Sequence, residues 1–278
     1  MKSLRFPALV LMALIFSGCA SLPENSERSE QDPWERYNRA MYQFNDSVDR
    51  AVLKPVAKGY RAITPDPVEK GVSNFFSNLS YPLVIVNQLL QGDFLDALSD
   101  TGRFLVNTTI GIGGIFDPAT HFGLEAHNED FGQTLGRWGV PSGPYLVLPF
   151  LGPSTVRDTG ALVADFQYDP MVQLFDEPER YYVWALGIVN MRAQLLDLDP
   201  QLQSAYDPYA FIRDAYLQRR EYLVHDGNPP RDEDYYDDLY EDFDSFEDIP
   251  DEETEEPAEA GSEEGEETSE EVSGEEGI

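Results

Sequence analysis

The chain runs to 278 residues with 52 Asp and Glu against 19 Lys and Arg, a formal net charge of −33, 41% hydrophobic residues and a single cysteine. No basic stripe is available to neutralise phosphates, which excludes a nucleic-acid partner, and one thiol excludes a disulfide framework. The charge is concentrated: 24 of the acidic residues lie between Asp232 and Ile278, a segment without Lys or Arg, which leaves 28 acids against 19 bases before it.

A basic start (Lys2, Arg5) precedes an apolar run from Phe6 to Phe16, too short for a permanent transmembrane helix and flanked like a secretory signal. The run closes in Phe16-Ser17-Gly18-Cys19, which resembles a bacterial lipobox with Phe16 where Leu is usual. Residues 1–18 therefore read as a lipoprotein signal peptide and Cys19 as the acylated first residue of the mature protein. Several acyl chains, at ~0.8 kcal/mol per buried CH₂, anchor it permanently. An ordinary signal peptide with an incidental cysteine is the alternative. Ala20 stands where Asp would favour inner-membrane retention, so the outer membrane is the expected address. Residues 19–31, polar and without apolar period after the cysteine, form a flexible tether of at most about 40 Å. The folded body must lie against the anchored leaflet or within it.

Residues 32–228 read as a helical domain. Asp-Pro occurs at Asp32, Asp66, Asp117, Asp169, Asp199 and Asp207, and an Asp that caps followed by a Pro that wastes no donor is a helix start signal. After Pro33, the residues Trp34, Tyr37, Met41, Phe44, Val48 and Ala51 step along one face of an amphipathic helix. A second helix opens at Asp66 with the stripe Val68, Val72, Phe75, Phe76 and Leu79. A third runs from Pro82 to Leu90 and stops at Gly92; Asp93 then caps a fourth that carries Phe94, Leu95, Leu98, Phe104 and Leu105. Later helices are expected at Ser154–Phe166, Glu179–Leu198 and Pro208–His225. Tyr145 to Phe150 is apolar, does not alternate and is hemmed by prolines, which suits a buried turn or short extended piece better than a sheet strand. The fold class is mostly α. Wide apolar stripes are also what a soluble bundle shows, but the anchor and short tether favour helices lying in one membrane leaflet.

Two glycine clusters interrupt the helices: Gly111, Gly113 and Gly114 among β-branched residues, and Gly136, Gly139 and Gly143, with Gly132, around Trp138 and two prolines. Flexible apolar loops of this kind suit a gate or hinge, and ordinary tight turns explain them nearly as well. Neither cluster matches a phosphate cradle. Chemistry for catalysis is scarce. No nucleophile elbow is present, and the cluster His121, Glu125, His127, Glu129 and Asp130 has no metalloprotease spacing, so neither an enzyme nor a metal or other cofactor is expected. Residues 229–278 form an acidic tail whose composition predicts disorder. Within it, Tyr236, Tyr240, Phe243 and Phe246 would share one helical face, and we expect that stretch either to fold on a basic partner or to serve only as a solubilising tail.

Several stretches together resemble the MlaA/VacJ family of outer-membrane lipoproteins: DPWERYNRAMYQFN (Asp32–Asn45), NFFSNLSYPLVIVNQLLQGD (Asn74–Asp93), RFLVNTTIGIGGIFDPA (Arg103–Ala119), FGQTLGRWGVPSGPYLVLPFLGPSTVRD (Phe131–Asp158), RAQLLD (Arg192–Asp197) and SAYDPYAFIRDAYLQRREYLVHDG (Ser204–Gly227). The resemblance implies a ring-like assembly of amphipathic helices in the inner leaflet of the outer membrane, around an amphipathic channel. Mislocalised phospholipids of the outer leaflet would pass through it to a soluble periplasmic lipid carrier, and the protein would sit beside an outer-membrane porin trimer. A non-catalytic lipoprotein scaffold with a soluble helical core and a lipid-modifying hydrolase dependent on His127 are the rival readings.

Overall fold

The computed structural model describes residues 31–229; Cys19, the tether before Gln31 and the acidic tail with its aromatic stretch lie outside the described residues. Helix α1 (Glu35–Val48) runs without a break into a π-helical turn (Asp49–Leu53) and on into α2 (Lys54–Ile63). Pro55 explains the wide turn. Its ring would crowd the carbonyl of Ala51 four residues earlier, and opening the helix just ahead of it relieves the clash.

Next comes α3 (Asp66–Gln91), a single helix of 26 residues with Pro82 inside it. This corrects the expectation of two helices meeting near Pro82. Tertiary packing outweighs the local breaker, because α3 is flanked by α4 (Phe94–Thr109), α6 (Phe131–Arg137), α8 (Pro170–Leu174) and α9 (Glu179–Gln194). Gly92, at φ +91°, ends α3. Asp93 holds the N-cap position of α4 as expected, yet its side chain accepts no capping bond and faces Arg137 at 3.4 Å. Among the Asp-Pro pairs, Asp117 caps the short α5 (Pro118–His121), Asp169 caps α8, and Asp207 caps α11 (Pro208–Val224), each by accepting a backbone N–H. Asp32, Asp66 and Asp199 make no such bond: α1 starts three residues beyond Asp32, Asp66 lies inside α3, and Asp199 faces Lys54 and Arg192 from the start of α10 (Asp199–Ser204).

A second correction concerns Tyr145 to Phe150. Strand β1 (Tyr145–Leu148) pairs antiparallel with β2 (Gly152–Thr155), in the register Tyr145 opposite Thr155 and Leu148 opposite Gly152. The first strand carries the expected apolar residues, but its partner opens with Gly-Pro, both depleted in strands, and was invisible to pattern. Side chains from α1 hold the hairpin instead: Asn38 donates to the Tyr145 carbonyl at 3.0 Å and accepts from the Val147 N–H at 2.8 Å. Helix α7 (Val156–Tyr168) follows directly, capped by Thr155, and the expected Glu179–Leu198 helix is α9 plus a 3₁₀ turn (Leu195–Leu198).

The interior is polar. Leu95, Leu98 and Phe94 of α4 are 82%, 70% and 67% exposed, while Asp100 and Arg103 on the same helix are 0% and 3% exposed. Helix α3 likewise buries Asn78, Asn87 and Gln88 and exposes Val68, Val86 and Leu89. On α4 most of the apolar stripe read from the sequence thus faces outward while polar residues face the protein; on α3 only Val68 of its stripe is exposed, and Val72, Phe75, Phe76 and Leu79 are half-buried. An exposed leucine is unremarkable alone, but buried polar groups in this number need partners, and most find them, Asn78 Oδ1, Gln88 Oε1 and Asp100 Oδ1 excepted. Arg103 shows how: it donates to the Tyr81 hydroxyl at 2.7 Å, to both Asp117 oxygens at 3.0 and 2.9 Å, to Thr120 and to the Leu124 carbonyl. A small apolar cluster of Met41, Tyr145, Val147 and Tyr209 packs between α1, the hairpin and α11. Among the described residues no helix is long and apolar enough to cross a membrane.

Candidate functional site

A cavity of about 560 Å³ opens between the α1 end, the π turn, the hairpin, α7 and α9. Its walls are largely apolar, with Val48, Val52, Leu53, Phe166, Ile188 and Met191 among them; Asn45, Asp49 and Arg192 supply the polar groups. Two departures from ordinary backbone face this one space. The π turn turns Asp49, Val52 and Leu53 toward it, and such turns gather at functional sites. Phe150, at the hairpin tip, has φ +64°, which costs a non-glycine residue on the order of 1–3 kcal/mol. Asn45 holds it there, accepting from the Phe150 N–H at 2.7 Å and donating to the Leu148 carbonyl at 2.9 Å, and Phe44 packs edge-on at 5.1 Å between centroids.

Arg192 is the cation of this cavity. Its Nε and Nη2 donate to Asp49 Oδ1 and Oδ2 at 2.7 and 2.9 Å, and Nη2 also reaches Asp199 at 2.9 Å. Lys54 lies 2.8 Å from the other Asp199 oxygen. Burial pushes the Asp199 carboxyl up, but hydrogen bonds from Lys54 and Arg192 outweigh this and hold it below its usual range.

On the other flank of α9 lies a second cavity, of about 490 Å³, that shares Trp184, Ile188 and Met191 with the first. Phe76 and Met171 join these three, so its walls are mainly apolar too, with more polar groups among them. Ser73, Ser77 and Ser80 line it from α3, and Asn190 and Gln194 from α9; Asn190 donates to Ser73 at 2.9 Å and accepts from the Tyr60 hydroxyl at 3.0 Å. Helix α9 thus separates two mainly apolar spaces, the second edged on one side by hydroxyls and amides, which together suit an amphiphile.

None of the six glycines singled out from the sequence lines either chamber. The Gly111–Gly114 segment closes the end of α4, with the Gly113 and Gly114 N–H groups bonded to the Thr108 and Asn107 carbonyls at 2.9 and 2.8 Å. Gly113 and Gly114 both have positive φ, and Gly114 lies so close to Asn78 that a Cβ would sit 2.7 Å from its Cγ. The loop presents Ile110, Ile112, Ile115 and Phe116 outward. In the second cluster, a Cβ on Gly136 would meet Arg157 and Val224 at 2.8 Å, so this glycine lets α6 approach α7 and α11, whereas Gly139 and Gly143 supply positive-φ turns. The sequence signal that would have found the larger chamber is Pro149-Phe150-Leu151-Gly152, an apolar turn ending in glycine between two short runs.

Of the histidine-rich segment, His127 bonds fully buried Asp100 through Nδ1 at 2.9 Å, His121 faces the Asp117 carbonyl, and Glu129 accepts from Gln91. Among the described residues no group of three His, Cys, Asp or Glu is arranged to hold a metal. Burial, reinforced by Asp226, Asp130 and Asp93, raises the Glu129 carboxyl to about 7. Below the hairpin, Arg220 clamps Asp130 and Asp158 at 2.6 and 3.0 Å and ties α11 to α6 and α7.

The MlaA lipoprotein family profile matches residues 30–223. The chain is 40% identical over 228 residues to proteins of Shigella flexneri and Escherichia coli (strain K12), covering 81% of this chain and 90% of each relative. Both carry the name intermembrane phospholipid transport system lipoprotein MlaA. A Haemophilus influenzae protein of the same name is 36% identical, covering 82% and 93%. A solved structure described as the structural basis for maintenance of bacterial outer membrane lipid asymmetry aligns with TM-score 0.63 and 39% identity, over 71% of this chain and all of that one.

Proposed function

The chain belongs to the MlaA lipoprotein family, and from that premise we propose that it removes mislocalised phospholipids from the outer leaflet of the outer membrane and so maintains lipid asymmetry. It acts without catalysis, anchored through acylated Cys19 on the periplasmic leaflet beside a porin trimer, and passes lipid to a soluble periplasmic carrier. The observation that carries the reading is the distribution of polarity: exposed apolar side chains on α4 and the loop after it, buried polar groups on α3 and α4, and two mainly apolar chambers along α9, one of them edged by hydroxyls and amides. Outward Leu95, Leu98 and Ile112 belong among acyl chains, and the inner polar network keeps helices together where hydrophobic contrast gives no drive. A lipid head that moves between leaflets must leave water, and the hydroxyls and amides along one edge of the second chamber lower that barrier. The Gly111–Gly114 segment enters as a hinge of the membrane-facing rim, and Gly136, Gly139 and Gly143 as a second, under α6.

Ile188 borders both chambers and is half-buried. Ile188→Trp should fill them at a stability cost of about 1–3 kcal/mol and raise outer-leaflet phospholipid in cells that depend on this chain. Normal outer-leaflet levels with a folded, correctly placed variant would refute the assignment of these chambers as the lipid path.

A further inference from the structure

Arg192 has a donor that no described residue uses. Its Nε and Nη2 are taken by Asp49 and Asp199, while Nη1 is buried without a hydrogen-bond partner. A buried charged donor left open calls for a ligand or an explanation. Asp49 borders the same chamber, placed there by the π turn, and each of its oxygens accepts only one of the Arg192 bonds, so acceptor capacity remains beside the open donor. The four charged groups Asp49, Arg192, Asp199 and Lys54 sum to zero.

We infer that Asp49 and Arg192 form a latch for a zwitterionic phospholipid headgroup, with the phosphate on the Arg192 guanidinium, whose covered and unpartnered Nη1 turns toward the chamber as lipid enters, the ammonium on Asp49 and the acyl chains along the apolar wall. The inference rests on the reading of this chamber as the lipid path. Charge sets the preference. A purely anionic head meets an arginine already offset by two carboxylates, and meets Asp49 as a like charge; a head that brings its own ammonium turns that repulsion into a second contact. Arg192 and Asp49 act as specificity-determining residues, while Asp199, bonded to the same guanidinium but absent from the chamber wall, serves to hold the arginine.

The test loads the full acylated chain in detergent from equal mixtures of phosphatidylethanolamine, phosphatidylglycerol and N-acetylated phosphatidylethanolamine of identical acyl chains, and reads bound lipid by native mass spectrometry. Phosphatidylethanolamine should be retained roughly tenfold over both others, the discrimination expected of a charge-assisted hydrogen bond. Asp49→Asn should bring the ratio near one without loss of total bound lipid, and Asp199→Asn should leave the wild-type ratio in place. Equal effects of the two substitutions, or a wild-type ratio of one, would overturn the latch. Should Asp49→Asn fail to fold, the N-acetyl comparison on the wild-type chain decides alone. A chain that retains no phospholipid of any kind, with Ile188→Trp transporting normally, fails at the chamber itself, an outcome distinct from the loss of selectivity.

Discussion

Alanine at Gly113 and at Gly114 should separate backbone strain from steric collision within two adjacent residues. Both have positive φ, +69° and +88°, so either substitution costs about 1–2 kcal/mol in a left-handed conformation. At Gly113 nothing lies within 4 Å of the added carbon, and the cost ends there. At Gly114 the methyl group runs into the side chain of Asn78, which is 5% exposed and donates to Thr108 at 2.9 Å. Displacing it breaks that bond and leaves a buried amide short of partners, a further 1–3 kcal/mol or so. Gly114→Ala should therefore lower Tm by roughly 5–15 °C and Gly113→Ala by less than half as much. Thermal melts followed by circular dichroism in detergent measure both, and equal losses would refute the assignment of the Asn78 contact. Outer-leaflet phospholipid measured in the same strains tests the proposed hinge, since Gly113→Ala should alter transport while the fold stays near native stability.

Cys19→Ala should abolish acylation and leave the signal unprocessed; palmitate label persisting on the variant would sink the lipoprotein anchor at that position. Glu129 binds its proton more tightly folded than unfolded, so stability should fall as pH rises from about 4.5 to about 7 and level off above it. Glu129→Gln should flatten that slope and stabilise the protein at pH 8 by on the order of 2 kcal/mol, and an unchanged slope in pH-resolved denaturation would show that Glu129 is not its source. Arg103→Met leaves Asp117, the Tyr81 hydroxyl and Thr120 without their shared donor and should cost about 3–5 kcal/mol, partly recovered by adding Asp117→Asn. A loss under about 1 kcal/mol in denaturant titration would mean that the network is dispensable.

Helix by helix, much of this chain was legible. The apolar period marked α1 and α4, Asp-Pro marked the starts of α5, α8 and α11, and Gly92 marked the end of α3, because those signals are local: a cap, a fixed φ, a left-handed residue. Pro82 misled for the same reason. Its local cost is real, and only packing of α3 against four other helices offsets it. The hairpin was hidden because β2 is held by register and by Asn38 and Asn45 of α1 rather than by its own propensity. The chambers were hidden as well, since Asp49, Phe150, Trp184 and Arg192 meet only through long-range contacts, and neither a π turn nor a positive φ at Phe150 leaves a mark in composition. What the sequence determined by itself is that each helix has an apolar face and that the family motifs follow in order. Which way those faces turn is a tertiary matter: period records that a helix meets two environments, and only the packing shows that Met41 of α1 turns into the core while on α4, where Asp100 and Arg103 face inward, with Arg103 against Tyr81 and Asp117, the apolar side lies outside.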